Sequence, residues 1–481
     1  MLNESDNKIL FLTQTEYIRR EYATSFLPFK GITQDLAYRL LKNATFGAIP
    51  HLGAGILAAE AMSLGYKVDF REFYDSIAPQ NIDQYSLVMA SAMDIGIDKI
   101  KALATSLQDK HNFVVGGLGP TAICNELIEE FPNLTVVKGE GEGLIGQIIT
   151  DFQTQGELAS IYQRNQSVDL SQCANEPYII DPSYRRLPLF KGAIMKPIEI
   201  TRGCTQACYF CSTAGKPVTV KPLEIAKQEI DQIGLKRHDI LFFIDQNLCG
   251  CPQDYSEELF DYINRKGYLW IGEGTIADYI GNEKLMNTMA KNCLSFLVGV
   301  EDFFNPVKGS PVKNDMQKDF VYLTHTLRKY KMPITYSIVF GTDEQTSDIF
   351  DKTAEMIMSL GITPLTHIAT PRVGTPFFNQ LQRDGRLFDL ISEHRNMRDN
   401  IVYSPKNMSP QELLVNFGRF HKQIHHPRVI AERYINNLKD CGLRYATGLL
   451  IPDLVMWVST LAPAAISLQK EGYKVQSQQY S

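Results

Sequence analysis

Three thiols, Cys204, Cys208 and Cys211, fall inside one stretch, Thr201-Arg-Gly-Cys-Thr-Gln-Ala-Cys-Tyr-Phe-Cys-Ser212. A loop with the spacing C-x-x-x-C-x-x-C can fold three sulfurs around a single inorganic core. An ordinary 4Fe–4S centre takes four protein ligands, so three leave one iron open to a ligand that is not protein. A zinc site lacking a nearby fourth ligand and a set of buried structural cysteines are the blander readings. The aromatic Phe210 before the last cysteine, and the apolar run Pro197-Ile-Glu-Ile before the first, favour the cluster.

Other residues of chemical interest are sparser. Asp245-Gln-Asn247 and Glu301 each close an apolar strand-like run, where catalytic groups gather on α/β barrels. Cys249-Gly-Cys251 follows the first of these runs directly; two thiols without further ligands are more often small loop residues than a metal pair. His421 and His425 share one helical face at a spacing that can hold zinc. With no third ligand evident, a surface or substrate-facing role is expected. Two glycine-bearing loops, Gly116-Gly-Leu-Gly-Pro-Thr121 and Gly139-Glu-Gly-Glu-Gly143, would let a backbone approach a bulky ligand, although tight strand-to-helix turns use glycine for structure alone.

The elements that must position these groups come in two series. In the first, strands are expected at Phe46–Ile49, Lys67–Glu72, Ser86–Ala90, Asn112–Val115 and Leu134–Lys138. Helices are expected from Gly53 through Met62, at Ile97–Leu107 and at Ala122–Phe131. Such alternation implies a parallel sheet covered on both faces, with ligands at the carboxyl ends of its strands. Residues 1–30 show no placeable pattern, and 156–195 lack a sustained period, as a linker would. The second series has strands at Pro197–Thr201, Ile240–Asp245, Leu269–Gly272, Phe296–Val300, Ile334–Phe340 and Thr363–Thr370, separated by helices. Residues 386–481 read as mainly helical. Within them Tyr445–Leu468 is apolar but carries Pro452, Asp453 and Pro463. It is expected to break into short pieces packed on the second series, with a shallow dip into a bilayer as the second reading.

The cysteine stretch and the six strand–helix units resemble the radical S-adenosylmethionine (SAM) enzymes. That resemblance implies a partial (β/α)6 barrel over 196–385, with Cys204, Cys208 and Cys211 on the cluster and SAM on the open iron. It places Phe210, Asp245, Asn247, Glu301 and Gly341 around SAM. Pro371-Arg-Val-Gly-Thr-Pro376 resembles a turn on the sixth strand. The first series, 1–155, resembles cobalamin-binding Rossmann-like domains through Ser91-Ala-Met93 and Gly116-Gly117. Ser91, Gly116, Gly117, Thr121, Glu140 and Glu142 then become the expected cobalamin contacts. The family's D-x-H-x-x-G element is missing, since the corresponding loop reads Ala48-Ile-Pro-His-Leu-Gly-Ala-Gly55. Cobalt is therefore expected to lack a protein imidazole, and His51 to cap a helix.

Composition bounds the class. With 481 residues the chain is long enough for two or three domains. A net charge of −6 without long runs of one sign gives no electrostatic footprint for nucleic acid. Nine cysteines, three of them clustered, together with an N-terminus lacking a secretory pattern, point to reduced thiols in the cytoplasm. The resemblance implies an α/β enzyme that transfers methyl from methylcobalamin to an unactivated carbon after hydrogen abstraction by a 5′-deoxyadenosyl radical. Its substrate would be a small molecule or peptide, its electron donor a flavodoxin or ferredoxin. A non-methylating cyclisation or rearrangement is the alternative. A cobalamin or redox sensor is a third reading, for which no output module is found.

Overall fold

The computed structural model describes residues 8–13, 51–72, 82–93, 96–107, 112–170, 195–236, 239–275, 281–309, 316–388 and 401–460. The expected strand Phe46–Ile49, most of the linker and the stretch after Thr460 lie outside them. The chain divides into two compact units.

The first unit is built within Met1–Tyr17, Lys42–Pro197 and Glu224–Gly234. Its sheet holds β1 (Lys8–Thr13), β2 (Lys67–Glu72), β3 (Leu87–Ser91), β4 (Asn112–Gly116), β5 (Leu134–Lys138) and β6 (Ile161–Gln163). The order is β2-β1-β3-β4-β5-β6, every pair parallel. Strands buried on both faces read as continuous apolar runs, and Leu87–Ala90 and Leu134–Val137 are buried without a break. Two expectations need correction. Residues 8–13 are a central strand, not unplaceable text: their run Lys-Ile-Leu-Phe-Leu-Thr pairs with β2 and β3. The first fifteen residues of the expected linker are also structured, and Ile161–Gln163 forms the sheet edge.

Helices α1 (Leu52–Ser63), α2 (Ile97–Leu107), α3 (Leu118–Ala122), α4 (Cys124–Glu130) and α5 (Ile145–Gln155) connect these strands. Helix α2 buries Ile100, Leu103, Ala104 and Leu107, the i, i+3, i+4, i+7 stripe of an amphipathic helix. The helix expected over Ala122–Phe131 is α4, and the short α3 precedes it, separated at Ile123. Helix α6 (Leu223–Gln232) also groups with this unit.

The second unit, which takes over at Ile198 within β7 (Met195–Ile198), carries the hairpin strands β8 (Thr201–Cys204) and β9 (Lys216–Val220), then β10 (Ile240–Phe243), β11 (Leu269–Thr275), β12 (Cys293–Glu301), β13 (Ile334–Phe340) and β14 (Thr363–Ile368). Six of them form one sheet in the order β14-β13-β12-β11-β10-β7. From β10 to β14 each strand pairs in parallel with its successor. These are the six strand–helix units of the expected partial barrel. Its outer helices are α7 (Gln253–Lys266), α8 (Glu283–Ala290), α9 (Met316–Lys329) and α10 (Ile349–Leu360). Helix α7 buries Leu259, Phe260 and Ile263 and stops at Gly267 in the left-handed region. Trp270 of β11 lies among Phe243, Phe260 and Phe296 in this outer layer. By the alternation of a strand, Ile271, Glu273 and Thr275 face the other way, toward the barrel interior.

Beyond the short helix α11 (Pro376–Arg383) come α12 (Pro410–Ile424), α13 (Pro427–Cys441) and α14 (Leu443–Thr460). Helix α14 packs on α13 and α12 and reaches β12. Pro452 was expected to break this segment, yet the helix runs through it. One residue on, buried Asp453 pairs with buried Arg433 of α13 and ties the helix to its neighbour. The expected surface or substrate-facing role of the histidines is likewise corrected. His421 and His425 are buried, with His421 Nε2 2.9 Å from Thr366 Oγ1 and His425 Nδ1 3.1 Å from Asp453 Oδ1. No helix among the described residues is long and apolar enough to cross a membrane.

Candidate active site

The cysteine loop leaves β8, whose Cys204 is buried, and returns through β9. Cys208 and Cys211 are half-buried and not in disulfides. Burial first, then the charges of Glu301, Cys211 and Cys204, pushes the Cys208 thiol up to about 12. Glu301, Cys211 and Cys204 are thus the charged neighbours that Cys208 feels. Among the described residues no three Cys, His, Asp or Glu side chains converge as for a single metal ion. A 4Fe–4S cube suits three thiols at the spacing C-x-x-x-C-x-x-C, because each thiolate binds a different iron and the fourth iron stays open.

The loop is held from three sides. The Ala207 N–H donates to Gly309 O at 2.9 Å, and the Tyr209 N–H to Lys308 O at 3.1 Å. Gly309 has φ +81°, and a Cβ there would lie 1.7 Å from Ala207 O, so this contact requires glycine. The Phe377 N–H, at the start of α11, donates to Tyr209 O at 3.0 Å. Thr375 caps that helix and Pro376 opens it, which gives the expected Pro371–Pro376 turn its structural form.

Three carboxyls stand around the strand ends. Asp245, just beyond β10, accepts at Oδ1 from the Ile200 N–H (3.0 Å), the Thr201 hydroxyl (2.8 Å) and the Thr201 N–H. It thereby fastens β10 to the strand that carries the cysteines. Its Oδ2 is buried with no protein partner, and burial raises its carboxyl to about 7. Glu301 has φ +63°, a strained conformation worth about 1–3 kcal/mol away from glycine. It sits at a register shift in β12. Burial, then Glu273, raises its carboxyl to about 7. Glu273, which sequence reading missed, is raised to about 7 by its surroundings and then by Asp245. Its side chain is open to water, so solvent screens the nearby Asp245 and little of that shift is kept. The alternation of Leu-Trp-Ile-Gly-Glu-Gly-Thr about a buried Trp270 was the available signal.

The remaining expected residues are placed as follows. Asn247 accepts at Oδ1 from the Thr275 N–H (3.3 Å), and its carbonyl from Thr201 Oγ1 (3.4 Å). Phe210 is half-buried, edge-on to Tyr209 with centroids 5.8 Å apart. Gly341 has φ +87°; its N–H donates to Gln345 Oε1 (2.7 Å), and its carbonyl accepts from Tyr403 Oη (2.9 Å). Gln345 in turn donates to Asp302 Oδ2 and Val339 O, so all of its buried polar capacity is used. Cys251 neighbours Asp245; burial, then that carboxylate, pushes its thiol up to about 12.

In the first unit, Ser91, Gly116 and Gly117 meet at the ends of β3 and β4, beside the Gly139–Gly143 loop after β5. A Cβ on Gly117 would lie 2.5 Å from Ala92 O, whereas nothing stands within 4 Å of a Cβ on Gly139. The Gly139 N–H donates to Thr121 Oγ1 (3.0 Å), the Val168 N–H to Glu140 Oε2 (2.8 Å), and the Glu142 carbonyl accepts from Arg164. These side chains shape the loops. Switching from β1 to β3 puts a crevice at this end of the sheet, where doubly wound folds bind ligands. His51 caps α1, its Nδ1 accepting from the Ala54 N–H at 3.1 Å, and burial lowers its pKa.

Two sheet units of these topologies, in this order along the chain, are matched by solved structures. The cobalamin-dependent SAM radical enzyme OxsB with aqua-cobalamin and SAM bound aligns over 97% of this chain and 81% of its own, at TM-score 0.61 and 10% identity. The chain has the fold of the cobalamin-dependent radical SAM enzymes. TsrM of Kitasatospora setae, a radical SAM methyltransferase solved with tryptophan substrate and a SAM analogue, aligns over 79% of this chain and 76% of its own, at TM-score 0.56 and 13% identity. A second TsrM structure holds cobalamin and a 4Fe–4S cluster. In sequence, bacteriochlorophyllide d C-12(1)-methyltransferase of Chlorobaculum tepidum is 22% identical over 376 residues, 74% of this chain and 78% of the relative. No protein-family model matches the chain.

Proposed function

We propose that this chain is a cobalamin-dependent radical SAM methyltransferase acting on an unactivated carbon of a small molecule. The observation that carries it is the grouping of Cys204, Cys208 and Cys211 with Glu301 on a six-stranded radical SAM barrel. The similar proteins named above supply the direction of the chemistry, two of them being methyltransferases.

Cys204, Cys208 and Cys211 hold the cluster, and their deprotonation accompanies metal uptake because burial keeps Cys208 a thiol without it. Phe210, Asp245, Asn247, Glu301 and Gly341 border SAM, with carboxyls suited to its positive groups. Ser91, Gly116 and Gly117 line the cobalamin, and Thr121, Glu140 and Glu142 support its loops. When bound, the cluster and SAM supply a 5′-deoxyadenosyl radical and the cobalamin supplies methyl. The chain's own residues fix the cysteine loop and offer carboxylates to a cation, while His51 is engaged in capping α1. The reading calls for an electron donor such as a flavodoxin or ferredoxin, and the free cysteines among the described residues support a reducing compartment such as the cytoplasm.

Anaerobic reconstitution with iron, sulfide, cobalamin and SAM, followed by mass spectrometry against a metabolite extract, tests the reading. A product heavier by one methyl group supports it; turnover of SAM with no methylated product overturns it.

A further inference from the structure

Tyr209 stands between two of the three cysteines that hold the cluster in the reading above, and it is 3% exposed. Its backbone is fixed by Lys308 and Phe377, and its ring lies edge-on to Phe377 with centroids 5.0 Å apart. Its hydroxyl oxygen accepts from the Asp343 N–H at 3.5 Å. That link is long, so its direction depends on how firmly Asp343 is held.

Asp343 is held from four sides. Arg386 grips its carboxylate with both ends of the guanidinium, Nη1 to Oδ1 at 2.8 Å and Nη2 to Oδ2 at 2.7 Å. Gln380 Nε2 donates to Oδ2 at 2.9 Å, and Asn407 Nδ2 to the Asp343 carbonyl at 2.6 Å. Arg386 also donates to Ser404 O at 3.1 Å. The two side chains are 16% and 8% exposed, so water does little to loosen them. A bidentate pair of this kind fixes orientation as well as distance.

We propose that Asp343 and Arg386 are positioning residues of the cluster site, setting the cysteine loop in its ligating geometry through Tyr209. The inference rests on the cluster reading above only for what the loop holds. The buried pair Arg433–Asp453 in the same unit provides the control, since it is as buried and has no bond to the loop.

The test measures thiol reactivity in the full-length metal-free chain, using N-ethylmaleimide at fixed pH and mass spectrometry to locate the label. Asp343→Asn and Arg386→Lys should each raise labelling of Cys208 and Cys211 about tenfold, as expected for loss of one charge-assisted hydrogen bond. Labelling of buried Cys293 should not change. Asp453→Asn should lower the melting temperature and leave the loop thiols at the wild-type rate. After reconstitution with iron and sulfide, the Asp343→Asn absorbance should bleach in air about tenfold faster than wild type. Unchanged labelling in Asp343→Asn, or equal acceleration in Asp453→Asn, overturns the proposal. If Asp343→Asn does not fold, Asn407→Ala carries the same comparison by removing a single bond to Asp343. A wild-type chain that takes up no iron overturns the function reading, while the thiol result stands on its own.

Discussion

At the scale of the residue, the site joins three cysteines to carboxyls, Asp245 and Glu301, whose ionisation burial disfavours. Replacing Cys204, Cys208 or Cys211 by alanine should abolish iron uptake and leave cobalamin binding intact, because the cobalamin loops belong to the other unit. Iron analysis of the reconstituted variants checks this; wild-type iron content in any one would refute the ligand assignment. Asp245 gives a pH prediction. Its carboxyl titrates near 3.8 in the unfolded chain and is raised to about 7 when folded. The folded state therefore binds the extra proton between those values, and its stabilisation is full below about 4 and lost as pH rises through about 7. Asp245→Asn keeps the acceptor for Thr201 and removes the titration. The melting temperature of the metal-free variant should fall less than that of wild type between pH 5 and pH 8. Parallel curves would show that Asp245 is ionised throughout. The cysteines were legible because three ligands lie within eight residues. Glu273 was not, because its meaning depends on which face of β11 turns inward, a fact settled by Trp270 packing outward.

At the scale of the element, strand ends carry the chemistry and the C-terminal helices hold the strand ends. Gly341 shows how tightly: at φ +87° an added Cβ would lie 2.4 Å from Tyr403 Oη and 2.9 Å from Leu413. Gly341→Ala should destabilise the chain by about 1–3 kcal/mol, measurable by urea unfolding. Helix α14 depends on one buried charge pair. Asp453→Ala leaves Arg433 charged and unpaired, a loss of about 3–5 kcal/mol for a pair this buried. An unfolding midpoint unchanged by that substitution would mean that Arg433 finds another partner. Most strands and helices were readable from period alone, β2 and α2 to the residue. The failures have physical causes. Lys8–Thr13 is an apolar run whose pairing partners lie far along the chain, and α14 runs through Pro452 while packed on α13 and α12. The Asp343–Arg386 pair joins residues 43 apart, and no local pattern announces it.

At the scale of the whole molecule, the chain joins a doubly wound parallel sheet to a partial barrel and adds a helical region that clamps the barrel's loops. The first two were legible because each strand–helix repeat has its own period and each loop falls at a predictable end. The clamp was not, since only folding brings Arg386, Tyr403 and Asn407 beside the Gly341–Asp343 turn. The central claim is methyl transfer by a radical route, and the products of SAM report on it directly. In the reconstituted enzyme turning over with its substrate, S-adenosylhomocysteine and 5′-deoxyadenosine should accumulate in comparable amounts, because methylation by this route consumes SAM in both ways. Formation of 5′-deoxyadenosine with little S-adenosylhomocysteine would contradict the account and assign the chain to non-methylating radical chemistry.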